Sequence, residues 1–496
     1  MDHSGWLSLL PPLLSIALAV GTRQVLPALF AGIVVGWWLL GDGNPLAALG
    51  ASIDGVIDVL ADPGDTRVLA FALAIGALIA VLESGGAVRA FVRWLELRRW
   101  VDSGRKAQWL AWIIGVIVFI ESNLTLLVAG SVSRPLFVRL RVSREKLAYL
   151  IDSTSAPVCM LIPLNAWGAF ILSLLGTTAV ADPLAVLVAA VPLTFYALLA
   201  VLVAAASIAF DWNPGPMRAA EARTRGGQLL WPGAVPLVSD ELLQASDSHL
   251  ASAESSSTAS PSTSRRSTSS PLGMLLPIMV IVVAVPVGLV VTGSGNPMQG
   301  SGSKAVLWAV LLGLVTAWLL TWRQTGTGFG PLLAISLRGA GGLLPVALIL
   351  VLAIALGDVA RLLGTGPFMA QVVGGAVPAV LLPTLIFLVS AGAAFAIGSS
   401  WGTFAIMIPV AMPIAAALGL PAPLLLGAVL SGAVFGDHAS PISDTTVVAS
   451  MAAATDHVDH VRTQLPYALI AAGLSAIGYL IAGMLVADKV LTATPS

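Results

Sequence analysis

Two stretches, YLIDSTSAPVCMLIP (149–163) and VFGDHASPISDTTVVAS (434–450), set aspartates, hydroxyls and a proline in the middle of long apolar runs. A carboxylate at bilayer depth is costly unless it is paired or coordinated. Pro157 and Pro441 each remove a backbone donor and free carbonyls one turn earlier. Each stretch therefore reads as a transmembrane helix broken near its centre. Such a break exposes carbonyl oxygens beside Asp, Ser and Thr oxygens, the all-oxygen environment that a hard cation such as Na⁺ takes. Asp152, Asp437 and Asp444 are the main ion-site candidates, with Thr154, Ser155, Ser440, Ser443, Thr445 and Thr446 as supporting oxygens.

Composition agrees with that reading. Of 496 residues, 57% are hydrophobic and only 10% charged, too few charges to cover a soluble protein of this size. The apolar runs are ~20 residues long, which selects helices over the shorter alternating strands of a barrel. Net charge is −1, which points to neither nucleic acid nor a polybasic lipid anchor. The single cysteine, Cys159, excludes an intrachain disulfide. MDHSGW at the start has no basic n-region and reads as the lead-in to a retained first helix.

Apolar stretches fall near 6–21, 25–41, 67–84, 108–130, 146–175, 184–210, 272–292, 304–322, 343–363, 378–411, 421–452 and 464–487. Residues 211–271 break the pattern and end in a Ser-rich tract, the mark of a disordered linker between two halves, 1–210 and 272–496. Placing Arg23 in the cytoplasm puts the linker and all but four of the 24 basic residues inside. Both termini then lie outside, as does a loop over 42–65 with Asp54, Asp58 and Asp62. The threading requires 108–130 and 378–411 to be re-entrant hairpins entering from opposite sides. Their polar tips hold Glu121, Ser122, Asn123 and Thr125 in one case and Ser399, Ser400 and Thr403 in the other.

The halves also match in order: Gly32 with Gly313, Trp37 with Trp318, Gly76 with Gly357, Ser122 with Ser400, Asp152 with Asp437. With opposite orientation, this is the inverted-repeat pattern of secondary transporters. The expected fold is an all-α polytopic membrane protein of two inverted repeats, each with scaffold helices, a re-entrant hairpin and a broken transmembrane helix.

Other titratable residues stand outside this candidate set. His438, beside Asp437, is either a pH sensor or a hydrogen-bonded spacer. The DHVDH run (456–460) has a spacing that suits a metal, against the simpler reading of a solvated loop. Asp358 and Arg361, one turn apart, read as a structural pair.

GDHASPISDTTVVASMAAATDHVDHVRTQLPYA (436–468) resembles the late signature of the NhaC-type sodium/proton antiporter family. ESNLTLLVAGSVSRPL (121–136), DSTSAPV (152–158) and GTRQVLPALFAGIVVG (21–36) are similar to that family too. The resemblance implies an elevator-type ion transporter, in which hairpins and broken helices carry the cargo. In dicarboxylate carriers of the wider group, Ser-Asn-Thr tips bind substrate and sodium. Ser122, Asn123 and Thr125 resemble that motif with one residue inserted, whereas the second tip lacks the Asn. The family includes a malate/lactate exchanger, and related elevator transporters are often dimers, so a homodimer is compatible.

The expected mechanism is competition: buried carboxylates bind either Na⁺ or H⁺, and inward proton flow expels Na⁺ across the cell (inner) membrane. Na⁺ is then the only metal, as cargo, and no cofactor is expected. One rival is a coupled exchanger of small organic anions. Another is a membrane-embedded Mg²⁺ enzyme on Asp437 and Asp444, which would call for acidic repeats and basic phosphate clamps that the sequence lacks.

Overall fold

The computed structural model describes residues 5–22, 24–41, 43–87, 90, 101–119, 122–163, 165–178, 180–236, 270–295, 300–365, 368 and 377–493. Among these residues the secondary structure is helical, and a lone bridge joins Pro236 to Asp456. In lipid every backbone N–H and C=O must be satisfied internally, and long apolar runs meet that condition as helices. Among the described residues, seven helices are long and apolar enough to cross a membrane, or up to nine if each of two bent pairs is one span. The chain is an all-α polytopic membrane protein.

The first half contains α1 (Leu10–Thr22), α2 (Val25–Leu40), α3 (Pro45–Ala61), α4 (Pro63–Ser84), α5 (Gly104–Ile117), α6 (Ser122–Arg139), α7 (Arg144–Ser153), α8 (Ala156–Leu161), α9 (Ala166–Gly176), α10 (Pro183–Ala190) and α11 (Phe195–Ala209). A short α12 (Pro216–Arg225) follows. The second half contains α13 (Leu272–Thr292), α14 (Gly302–Thr325), α15 (Phe329–Gly342), α16 (Leu344–Leu362), α17 (Leu382–Ile397), α18 (Ser400–Ala417), α19 (Ala422–Ala439), α20 (Asp444–Ala453) and α21 (His457–Ala493). One order thus recurs: four helices, a helical hairpin, then a helix interrupted near a buried aspartate.

Packing sorts these helices into two groups. α4 packs against α14 and α15, and α2 against α16, so the opening helices of the two halves interlock. α6 packs on α20, α7 on α20 and α21, and α17 on α19, so hairpins and interrupted helices form the second group. On α14, Trp308, Leu312, Val315, Leu319 and Trp322 recur at helical spacing and are each about half exposed, between 46% and 54%. Water would make such a stripe an aggregation surface; lipid solvates it.

Three expectations need correction. Residues 45–61 are not a loop but the helix α3, whose N-terminus Asn44 caps by accepting from Leu46 N and Ala47 N. α15, its counterpart by order, falls between the predicted apolar stretches. The start of the linker is folded: α12 packs on α7 and α21, and buried charges in α7, described below, hold it there. Residues 237–269, with the Ser-rich tract, lie outside the described residues.

Candidate functional site

In the second half, α19 stops at Ala439, Pro441 sits in the gap, and α20 resumes at Asp444. Asp437 lies on the last turn of α19 and is buried. Its Oδ1 accepts a 2.5 Å hydrogen bond from Ser443 Oγ, and its Oδ2 accepts one from Ser400 Oγ at the second hairpin tip. Ser443 stands at the N-cap of α20, where a serine ordinarily accepts from the first helical amides. Here it makes no side-chain cap bond and instead faces Asp437 and, at 2.9 Å, Thr445 Oγ1. Ser440 Oγ donates to Phe395 O of α17, and Thr446 Oγ1 reaches the Asp437 carbonyl at 3.4 Å. Asp444 opens α20, and its side chain lies outside the described residues.

The second tip is tight because Gly398 has φ +74°, and a Cβ there would come 2.8 Å from Ile442. Ser399 then caps α18 through Gly402 N, and Thr403 Oγ1 donates back to Ser399 O. Trp401 packs on Trp167 and Phe170 of α9, with centroids 5.3 and 4.8 Å apart.

In the first half, α7 ends at Ser153 and α8 begins at Ala156, with Pro157 in its first turn. Asp152 is buried, and its Oδ2 accepts 2.8 Å from Gln464 Nε2. Thr154 Oγ1 donates to Leu150 O and Ser155 Oγ to Asp152 O, so both hydroxyls turn to their own backbone. Thr154 also lies against α5, where any side chain at Gly115 would run into it. At the first hairpin tip, Thr125 Oγ1 donates to Val118 O. Ser122 is buried, and Asn123 Oδ1 is buried without a hydrogen-bond partner among the described residues. Glu121 lies outside the described residues.

His438 joins the halves. Its Nδ1 lies 2.6 Å from Tyr196 Oη on α11 and its Nε2 3.2 Å from Ser153 Oγ on α7. The DHVDH run is no solvated loop either: His460 is fully buried between Ser450 and Gln464, and His457 lies 2.6 Å from Pro441 O. Among the described residues, no group of three His, Cys, Asp or Glu is placed to hold a metal. Asp358 and Arg361 do pair, at 2.7 Å.

Residues outside the predicted set complete the frame. Asn165 Nδ2 donates to Phe119 O, Cys159 O and Ile162 O, while Oδ1 accepts from Trp167 N and Gly168 N. One amide thus ties the first hairpin tip to α8 and α9. Cys159 Sγ also donates to Phe119 O, at 3.3 Å. α7 carries three consecutive buried charges, each with partners, as burial demands. Arg144 Nη1 donates to Ala454 O, and Lys146 Nζ donates to Ser207, Asn213 and Tyr467. Glu145 forms a two-pronged pair with Arg223 of α12, at 2.7 and 2.9 Å. Glu221 of α12 accepts from Ser143 N and Oγ at the cap of α7.

Known proteins resemble this chain at three levels. Residues 159–484 match the profile of the Na⁺/H⁺ antiporter family. An uncharacterized protein of Haemophilus influenzae is 31% identical over 97% of this chain and 91% of its own length. The arginine/ornithine antiporter ArcD of Halobacterium salinarum is 34% identical over 42% of this chain and 41% of its own. The malate-2H⁺/Na⁺-lactate antiporter of Bacillus subtilis is 40% identical over 22% and 23%. Among solved structures, the Alcanivorax borkumensis YdaH transporter superposes with a TM-score of 0.54 at 15% identity, covering 94% of this chain and 98% of that one. MtrF of Neisseria gonorrhoeae gives 0.56 at 13%, covering 89% and 85%. At such identities the two structures speak to the fold alone. The family profile spans more than half of the sequence, and the chain belongs to the Na⁺/H⁺ antiporter family of secondary transporters.

Proposed function

We propose that the chain exchanges cytoplasmic Na⁺ for external H⁺, and that the two compete for buried aspartates, Asp437 foremost. The observation that carries this reading is the hydroxyl shell of Asp437, drawn from Ser443 at the helix break and Ser400 at the hairpin tip. A hydroxyl can donate to a carboxylate or turn its lone pairs to a cation. Na⁺ at this point would take carboxylate, Ser400, Ser443 and Thr445 oxygens; a proton on Asp437 would instead bond one of the same hydroxyls. Each ion excludes the other. Asp152, and Asp444 at the head of α20, are the further carboxylates of the site.

Ser400 belongs to the hairpin and Ser443 to the broken helix, so occupancy bears on how firmly the two are joined. That coupling is what alternating access requires. The recurring element order supports inverted repeats over 1–210 and 272–496, with α1–α4 and α13–α16 as scaffold and the hairpins and broken helices as the moving part. We place the protein in the cell (inner) membrane, with the linker 211–271 cytoplasmic and both termini external. His438 is a bridge between the broken helices in this reading, since both its ring nitrogens are engaged.

The test is proton flux in proteoliposomes holding a trapped pH dye, with Na⁺, Li⁺, K⁺, malate, lactate and arginine added separately. A response to Na⁺ alone that Asp437→Asn abolishes supports the reading. A response that requires an organic solute moves the cargo to that solute. A Na⁺ response that survives Asp437→Asn removes Asp437 from the site.

A further inference from the structure

Gln464, on α21, lies within the 436–468 signature but was given no role of its own, and it touches both broken helices. It is 1% exposed. Its Nε2 donates to Asp152 Oδ2 at 2.8 Å and to the backbone carbonyl of His438 at 2.5 Å. Its Oε1 faces His460 Nε2 at 2.8 Å. An amide nitrogen only donates and an amide oxygen only accepts. Two acceptors on one side therefore fix which end is nitrogen, and His460 Nε2 must carry the hydrogen given to Oε1. His460 is held in turn through Nδ1, 2.9 Å from Ser450 Oγ on α20. Two routes thus run from Gln464 towards Asp437. One passes through the carbonyl of the next residue, His438; the other passes through His460 and Ser450 to the helix that Ser443 begins.

We propose that Gln464 is a positioning residue that holds Asp152 and the Asp437 break in one register, so that cargo bound at one is felt at the other. This rests on the reading of the two aspartates as ion carboxylates. The shape of the contact supports it: a side chain that merely filled a polar gap would not need both donors on acceptors from opposite halves of the chain. Asp152 alone would need only one.

The experiment compares full-length wild type with Gln464→Met, which keeps length but loses both donors, and Gln464→Glu, which presents an oxygen to Asp152. Hydrogen–deuterium exchange is read over residues 150–156 and 436–446, and Na⁺ KM and kcat are read from proton flux. We expect Gln464→Met to speed exchange at both breaks and to raise the Na⁺ KM roughly tenfold, the scale of one hydrogen bond to a charged group, with kcat little changed. Gln464→Glu should raise KM further. Unchanged exchange at either break, or an unchanged KM, would overturn the proposal. Should Gln464→Met fail to fold, Gln464→Asn, one methylene short, carries the same comparison. A wild type that moves no Na⁺ defeats the antiporter reading, while the exchange data, which use no cargo, still decide whether Gln464 joins the breaks.

Discussion

Asp437 and Asp152 are both buried, but their neighbours differ in kind. Asp437 faces hydroxyls, which can reverse from donor to acceptor; Asp152 Oδ2 accepts from an amide nitrogen, which cannot, with His460 Nε2 3.9 Å away. In the proposed mechanism these hydroxyls turn their lone pairs to the cation, so each should matter individually. Ser443→Ala is expected to raise the Na⁺ KM about tenfold, by loss of a bond to a charged group, while Ser443→Thr keeps most of the affinity; Na⁺ titration of dye-monitored proton flux separates the two. Asn165→Ala removes the side-chain partner of three carbonyls, of which Phe119 O keeps the Cys159 thiol, and of two amides, and should lower stability by about 1–3 kcal/mol, seen as a lower Tm in detergent. Asp437 and Ser443, flanking Pro441, and Ser400, at a polar hairpin tip, stand out in the sequence as polar residues within apolar spans, and the structure brings the three together. Gln464 and Asn165 draw no reading of their own, and His460 draws only a metal or solvated-loop one, because they sit where a helix begins and polar residues are ordinary. The faint signal was His460 and Gln464 at i and i+4, on one face of α21 as it enters its apolar run.

Elements follow the same logic. Long apolar helices could be read from the sequence, since only burial or lipid accounts for them. α3 and α15 escaped: Asp54 and Asp58 in the one and Arg338 in the other dilute short runs that the flanking helices complete. α12 escaped for a different reason. Its stabilising partners, Ser143 and Glu145, lie 78 residues away from Glu221 and Arg223, and no local pattern reports them. Arg223 also stacks on Trp231, at 4.6 Å, and Val235 N donates to Asp456 at the head of α21, so the segment fastens α7 to α21. Arg223→Ala leaves Glu145 buried without its guanidinium and should cost about 3–5 kcal/mol, measurable by thermal unfolding. Arg223→Lys, which cannot form the two-pronged bond, should fall between.

At the scale of the whole molecule, the first four helices of each half interlock while hairpins and broken helices gather around the aspartates. The proposed sidedness has a direct check. Trypsin should cut at Arg265 or Arg266 in inside-out vesicles and leave right-side-out vesicles intact; the reverse pattern would invert the threading.

Cys159, the chain's one cysteine, is buried with its thiol on the Phe119 carbonyl, at the seam between the first hairpin tip and α8. The unaltered protein thus carries a native chemical clock. A maleimide reacts with a thiol only when solvent reaches it, so the alkylation rate counts how often that seam parts. A rate that shifts as Na⁺ is titrated ties opening to occupancy. A rate indifferent to Na⁺ separates opening of this seam from cargo binding.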